Sequence, residues 1–302
     1  LTKKVHLLGE GTGANPEGIV GVSNSIRTRL GQLDIKSGAE GASVQAIYFD
    51  GAKEVDPVFQ SQLRIFTNNV TVARCSLDVI FLKKDATAGK YASRCVIVQN
   101  FFRRESSIND VGGVFIETQC NYNIISNNIL PFIGGTSDNA NTIIRNNTIY
   151  GTSFREVRVL GGAFAADIKN NIILEIPVSG NSSPFFTNIK IENTVMLNNI
   201  FPFSIAGLNI DFNRNYEKDL NQFGVSMTTV FEATSFNKPN FQSEYKLKTG
   251  SPALSAGFKG EDNGAYGGIT PYIISGTGVL PSITELTNTS GVKYQIKAKI
   301  KQ

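Results

Sequence analysis

The sequence predicts an all-β fold of stacked coils, and two observations carry that prediction. The first is a phrase that returns: Ile125-Ser126-Asn127-Asn128-Ile129-Leu130 is echoed by IRNNTI at 144–149, IKNNII at 168–173, MLNNIF at 196–201 and, more loosely, IVQNFF at 97–102. The second is that the echoes share one register. Aligned on the second Asn, the equivalent positions are Ile47, Cys75, Asn100, Asn128, Asn147, Asn171 and Asn199, at intervals of 28, 25, 28, 19, 24 and 28 residues. Three residues before each marker stand Val44, Val72, Ile97, Ile125, Ile144, Ile168 and Met196, all apolar. Two residues after it stand Phe49, Leu77, Phe102, Leu130, Ile149, Ile173 and Phe201, again all apolar. The position two before the marker is mixed (Gln45, Ala73, Val98, Ser126, Arg145, Lys169, Leu197), as an exposed side should be.

Uninterrupted apolar columns flanked by mixed ones mean that every repeat sends side chains into one continuous interior with the alternation of a strand. Gly, Asn and Ser clusters bound the repeats, and no amphipathic segment of helical length separates them, which excludes a βαβ sheet. Leucine-rich and helical repeats have other periods and consensus residues, so stacked β coils remain. The paired Asn fits such a coil. One Asn suits a sharp bend because it tolerates the left-handed region, and the other can pass amide hydrogen bonds between coils. On sequence grounds the two roles are interchangeable within the pair. Length varies most at 102–113, 131–141, 151–155 and 177–184, where loops and binding faces grow on such a scaffold.

At the start of the chain, the apolar run Val5-His6-Leu7-Leu8 reads as a strand closed by Gly9-Glu10-Gly11-Thr12-Gly13. This is no dinucleotide fingerprint, because no helical periodicity follows it. His6, the only histidine, is expected to be a packed or edge imidazole rather than a base. A chain of 302 residues with 41% hydrophobic and 18% charged residues can bury a core. Its net charge of +4 is spread without a dense basic block, which excludes a nucleic-acid partner. Cys75, Cys95 and Cys120 are too few and too far apart for a disulfide framework or a Cys-x-x-Cys metal site, and read as buried free thiols. No apolar run reaches the roughly 18 residues of a membrane span. The chain begins at Leu1 inside a strand-like run, without Met, so a preceding segment such as a signal peptide is expected.

Beyond Phe201 the beat fades through 209–241, which reads as an insertion plus a final coil. Residues 245–268 then read YKLKTGSPALSAGFKGEDNGAYGG. This run resembles the closing segment of secreted right-handed parallel β-helix proteins of the pectin-lyase-like superfamily, in particular uncharacterised surface proteins of Bacteroidetes. The residues that carry the resemblance are Lys246-Leu247, Gly250-Ser251-Pro252-Ala253, Ala256-Gly257 and Asp262 to Gly268, with Pro271-Tyr272-Ile273-Ile274-Ser275-Gly276 and Leu280-Pro281-Ser282-Ile283 after them. The resemblance implies a right-handed parallel β-helix, a solenoid, with a C-terminal capping segment, and export to the extracellular space or outer surface of a Gram-negative bacterium. It implies no single activity, because the fold hosts lyases, hydrolases, binders and adhesins. The expected organisation is a β-helix with its cap over 1–270 and a β tail over 271–302. In that tail Val292, Tyr294, Ile296, Ala298 and Ile300 alternate with lysines 293, 297 and 299, giving an edge strand with a cationic face or the start of a further module.

No catalytic signature stands out, so candidate chemistry is sought on the outward columns. Counting eleven residues back from the marker places Arg64 and Glu117 in one column, with Arg158 nearby in the alternating run 156–160. In Val114-Phe115-Ile116-Glu117 the aliphatics face in, turning Phe115 and Glu117 outward. One carboxylate, two guanidiniums and an aromatic on one face suit an acidic sugar, with Arg supplying bidentate contacts to a uronate. Arg103 and Arg104, with Glu105 and Asp110, lie in the long loop before Glu117 and overhang that face. The competing reading is an ordinary solvated face with weak ion pairs. A lyase would need a base and an acidifying group, often Ca²⁺ among several carboxylates, and no such cluster is seen, so no cofactor is expected. A glycoside hydrolase would need two carboxylates, for which Glu117 with Glu156 or Asp167 are the candidates. The favoured expectation is interaction with an extended polysaccharide or cell-surface glycan. The rivals are a lyase or hydrolase on that glycan, with Glu117, Glu156 and Arg158 as catalytic candidates, and a structural or adhesin component held to a surface protein through the tail.

Overall fold

The computed structural model describes residues 1–9, 29–49, 62–102, 112–135, 139–150, 160–161, 164–174, 195–202, 220–233, 242–272, 281–288 and 294–300. The fold is all-β, built from several parallel sheets with very little helix. Successive strands are dealt in rotation to three of them, here sheets A, B and C, which hold eight, seven and six described strands. Sheet A carries the column Val44, Val72, Ile97, Ile125, Ile144, Ile168, Met196 as direct lateral partners, which is the register read from sequence. Sheet B pairs Leu77 with Phe102, Leu130 with Ile149, and Ile149 with Ile173. Sheet C runs through the strands Gln32–Ile35, Gln62–Ile65, Val79–Leu82, Gly113–Ile116, Ile133–Gly135 and Leu160–Gly161. One hydrophobic cluster takes residues from all three sheets, among them Val72, Leu77 and Ile80, each fully buried. The period-2 pattern therefore aims one side of every sheet at a common interior.

The paired residues at the A–B corner divide their labour. The first of each pair takes the left-handed bend: Ala46, Arg74, Gln99, Asn127, Asn146, Asn170 and Asn198 have φ between 52° and 57°. The second turns inward. Asn100, Asn128, Asn147, Asn171 and Asn199 are completely buried, and the Oδ1 of each later member accepts both the backbone N–H and the Nδ2 of the one before, at 2.9–3.0 Å. Each Nδ2 also donates to backbone carbonyls, as Asn147 does to Ile125 and Arg145. The ladder runs one step beyond the sequence reading. Asn221 accepts from Asn199, and Ile200 bridges to Gln222, so part of the stretch read as an insertion plus a final coil keeps the beat.

The C-terminal segment is a strap rather than an end cap alone. It runs back along the A–B corner against the order of the repeats. Gln222 donates to Pro252 O, Asn198 to Ala256 O, Asn170 to Glu261 Oε2, Asn146 to Asp262 O, Asn127 to Ala265 O and Gly267 O, and Gln99 to Pro271 O. From Gln99 to Asn198 the first-position amides are thus clamps as well as bends, and Gln99, Asn127, Asn146 and Asn170 are buried. Arg74, one repeat beyond the last clamp, donates to Gln99 Oε1 at 3.0 Å. Beneath the strap, the helical turn Met227–Val230 with Phe231, Tyr245, Ala253 and Ala265 packs on Phe101, Ile129 and Ile172 of sheet B and on the neighbouring Tyr150 and Ile200 in a second apolar cluster. The outer side of sheet B is therefore occupied by the chain itself. Such close approach requires glycine. A Cβ on Gly264, at φ +79°, would stand 2.6 Å from Ile172 Cδ1, and one on Gly268 2.9 Å from the Asn146 amide.

The described strands of the tail pair with each other and not with a strand of sheets A, B or C. Pro281–Asn288 and Tyr294–Ile300 form a separate antiparallel hairpin, pairing Ile283 with Ala298, Leu286 with Ile296 and Glu285 with Lys297. Among the described residues, no helix is long and apolar enough to cross a membrane.

Two outcomes are expected from these contacts. Asn147→Leu removes the Oδ1 that accepts the buried Asn128 backbone N–H and Nδ2, and should destabilise the protein by about 1–3 kcal/mol for the N–H left unpaired, read from urea unfolding. Gly264→Val should loosen the strap, seen as faster amide exchange and proteolysis within 251–272 with smaller changes on sheet A.

Candidate functional site

Sheet C presents the outward array with the most chemistry among the described residues. Its strand sequences, QLDI, QLRI, VIFL, GVFI and IGG, place Asp34, Arg64, Phe81, Phe115 and Gly134 side by side as direct register partners. The Phe81 and Phe115 rings stack at 5.2 Å with 27° between planes, and the Phe115 and Phe132 rings follow at 5.0 Å and 40°. Gly134 makes the third step available. A Cβ there would lie 1.9 Å from Phe132 Cζ, so the ring occupies the space a side chain at 134 would fill. Phe81 and Phe115 are half-buried and Phe132 nearly buried, which gives an apolar strip at the repeat spacing.

Ion pairs border the strip on two sides. Arg64 Nε and Nη2 each donate to a different oxygen of Asp34, both at 2.7 Å, a fork matched to a carboxylate. Burial works against the ionised Asp34 carboxyl, but the hydrogen bonds from Arg64 and Gln32 outweigh it and hold the carboxyl below the usual range. On the other side Lys83 Nζ lies 3.0 Å from Glu117 Oε1 and 5.4 Å from the centre of the Phe81 ring. Glu117 Oε2 accepts the Lys84 backbone N–H at 3.0 Å. A small hairpin, Lys84–Asp85 with Lys90–Tyr91, follows Lys83 and is pinned by Ser37 Oγ donating to Asp85 and by the Lys90–Glu40 pair.

The structure brings Arg64 and Phe115 into one column but not Arg64 and Glu117. Arg64 aligns with Phe81 and Phe115, and Glu117 falls two residues further on, beside Lys83. The count from the marker fails because the link from sheet C to sheet A varies in length. Eight residues separate Arg64 from Val72, ten separate Phe115 from Ile125, and sixteen separate Phe81 from Ile97, where the small hairpin is inserted. Asp167 stands on sheet A and pairs with Lys169 at 3.0 Å, so it is not gathered beside Glu117. Arg103, Arg104, Glu105, Asp110, Glu156 and Arg158 lie outside the described residues. Phe81, Phe132 and Lys83 were not read as site residues. Aligning the sheet C strands with one another, rather than on the Asn marker, would have exposed the phenylalanine column.

Two further expectations have a physical outcome. His6 sits on the edge strand of sheet A with Nδ1 2.8 Å from Ser43 Oγ, a partnered edge imidazole. Cys75, Cys95 and Cys120 are free and buried, and burial pushes each thiol up to about 12, where it stays protonated and unreactive at neutral pH. Among the described residues, no three His, Cys, Asp or Glu side chains gather as a metal set. No protein-family model matches the chain, and no curated protein matches it.

The Asp34–Arg64 pair predicts a pH dependence. The folded carboxyl titrates below its ordinary value of 3.8, so the pair contributes fully above that value and is lost as pH falls through the depressed one. Asp34→Asn should cost about 0–1 kcal/mol at neutral pH, the range of a part-exposed pair, and its difference from wild type should shrink to nothing in acid unfolding below that window.

Proposed function

We propose that the three parallel sheets are the faces of a right-handed parallel β-helix, exported and extracellular or surface-bound, and that it binds an extended carbohydrate across the outer side of sheet C. Rotation of consecutive strands among three sheets around one apolar interior supports the β-helix, and the near-universal hand of parallel crossovers supports its sense. The resemblance of residues 245–268 to the closing segment of secreted β-helix proteins supports export.

The observation that carries the binding reading is the Phe81–Phe115–Phe132 stack. Sugar rings have apolar C–H faces ringed by hydroxyls, and an apolar strip bordered by hydrogen-bonding groups complements them. A strip repeating at the strand spacing suits a ligand that is itself a repeating chain. The same geometry favours binding over catalysis on this face. General acid–base hydrolysis needs two carboxylates about 5–10 Å apart and free to exchange protons. Here Asp34 is forked by Arg64, and Glu117 is held by Lys83 and a backbone N–H.

The test is retardation in native gels containing soluble polysaccharides, combined with assays for reducing ends and unsaturated products. Phe115→Ala should weaken retardation about fivefold, the factor about 1 kcal/mol represents. Phe258→Ala, at an exposed ring away from sheet C, should leave it unchanged. Retardation equal in Phe115→Ala and wild type, or absent with every polysaccharide, would sink the reading.

A further inference from the structure

We infer that the ligand of the sheet C face is an uncharged polysaccharide, not the acidic glycan that the arginines of the sequence suggest; this inference rests on the carbohydrate reading above. The argument is one of charge already spent. A uronate would be recognised by a guanidinium with two parallel N–H groups to offer. Arg64 gives Nε and Nη2 to the two oxygens of Asp34 at 2.7 Å each. A ligand carboxylate would have to displace Asp34, exchanging one carboxylate for another with little net gain while leaving a part-buried aspartate unpaired. Lys83 is engaged in the same way, in contact with Glu117 and with the face of the Phe81 ring. Glu117 uses both oxygens, one on Lys83 and one on the Lys84 amide.

The two acids and two bases that frame the strip are therefore paired with one another. Lys36, two residues after Asp34 on the exposed edge of the array, sits within reach of Asp34's field and helps hold that carboxyl ionised. What remains for a ligand is the apolar phenylalanine strip and the outer lone pairs and N–H groups of neutralised pairs. Those are hydrogen-bonding partners for hydroxyl groups. Such a surface offers a uronate no free guanidinium fork, and its apolar strip beside paired hydrogen-bonding groups carries little desolvation penalty against a neutral chain.

The experiment is affinity electrophoresis of the whole protein in gels containing an unsubstituted β-glucan, a galactomannan or polygalacturonate, each at about 50 mM and about 500 mM salt, which span strong to weak screening of surface charge. The expected result is retardation by at least one neutral polymer, changing less than twofold with salt and weakened in Phe115→Ala, with no retardation by polygalacturonate. Retardation by polygalacturonate that fades at high salt overturns this inference while leaving a carbohydrate-binding face. Failure of all three polymers to retard the protein overturns this inference and the carbohydrate reading together.

Discussion

The buried row of amides from Asn100 to Asn221 is the interaction on which the rest of this structure depends. Parallel strands turning a tight corner leave backbone N–H and C=O groups facing the interior, where water cannot serve them. Each asparagine answers its neighbour on both counts, accepting from one repeat through Oδ1 and donating to carbonyls through Nδ2. The side chain is short enough to stay within one strand spacing, so the row also fixes the distance and register between repeats. Leucine in the same place would bury apolar surface but would leave the neighbouring backbone N–H without its acceptor. At Cys75 the pattern changes: the backbone N–H still donates to Asn100 Oδ1, but the side chain at this position is a thiol that donates weakly to nearby carbonyls.

Pairing two asparagines at four successive corners, from Asn127-Asn128 to Asn198-Asn199, joins this interior to the outside. The inner residue can point in only because its predecessor takes a left-handed bend, and that bend leaves the predecessor's amide facing out. There it meets the backbone of the strap. The corner sequence thus encodes a polar contact on each side of the wall, and the strap's glycines are what let a second backbone come that close.

How much of this was legible follows from what each position must satisfy. The two apolar columns were readable because they carry no polar exception; the lateral partners on sheet A match the first residue for residue, and Leu77–Phe102, Leu130–Ile149 and Ile149–Ile173 match the second on sheet B. Which asparagine turned inward was not readable, since both roles suit the same side chain. The strap left a trace that is intelligible only afterwards: the first-position amide persists from Gln99 to Asn198 and gives way to Arg74 and Ala46 beyond the strap's reach. The phenylalanine column of sheet C was hidden by arithmetic rather than chemistry. Its strands lie across links of unequal length from the asparagine marker, so a count that serves sheets A and B loses its place on sheet C.

The strap also changes the kind of object this stack is. Repeats that touch only their neighbours behave as a row of loosely coupled units, in which an end can fray while the middle holds. Here one segment is fastened at Gln222 and again at Gln99, with every corner between them clamped along the way. Opening the repeat at one end strips contacts whose other members sit several repeats away. Between Gln99 and Gln222 the energy of fraying is therefore shared through the strap as well as between adjacent repeats, and that part of the molecule opens more cooperatively than repeats held by their neighbours alone.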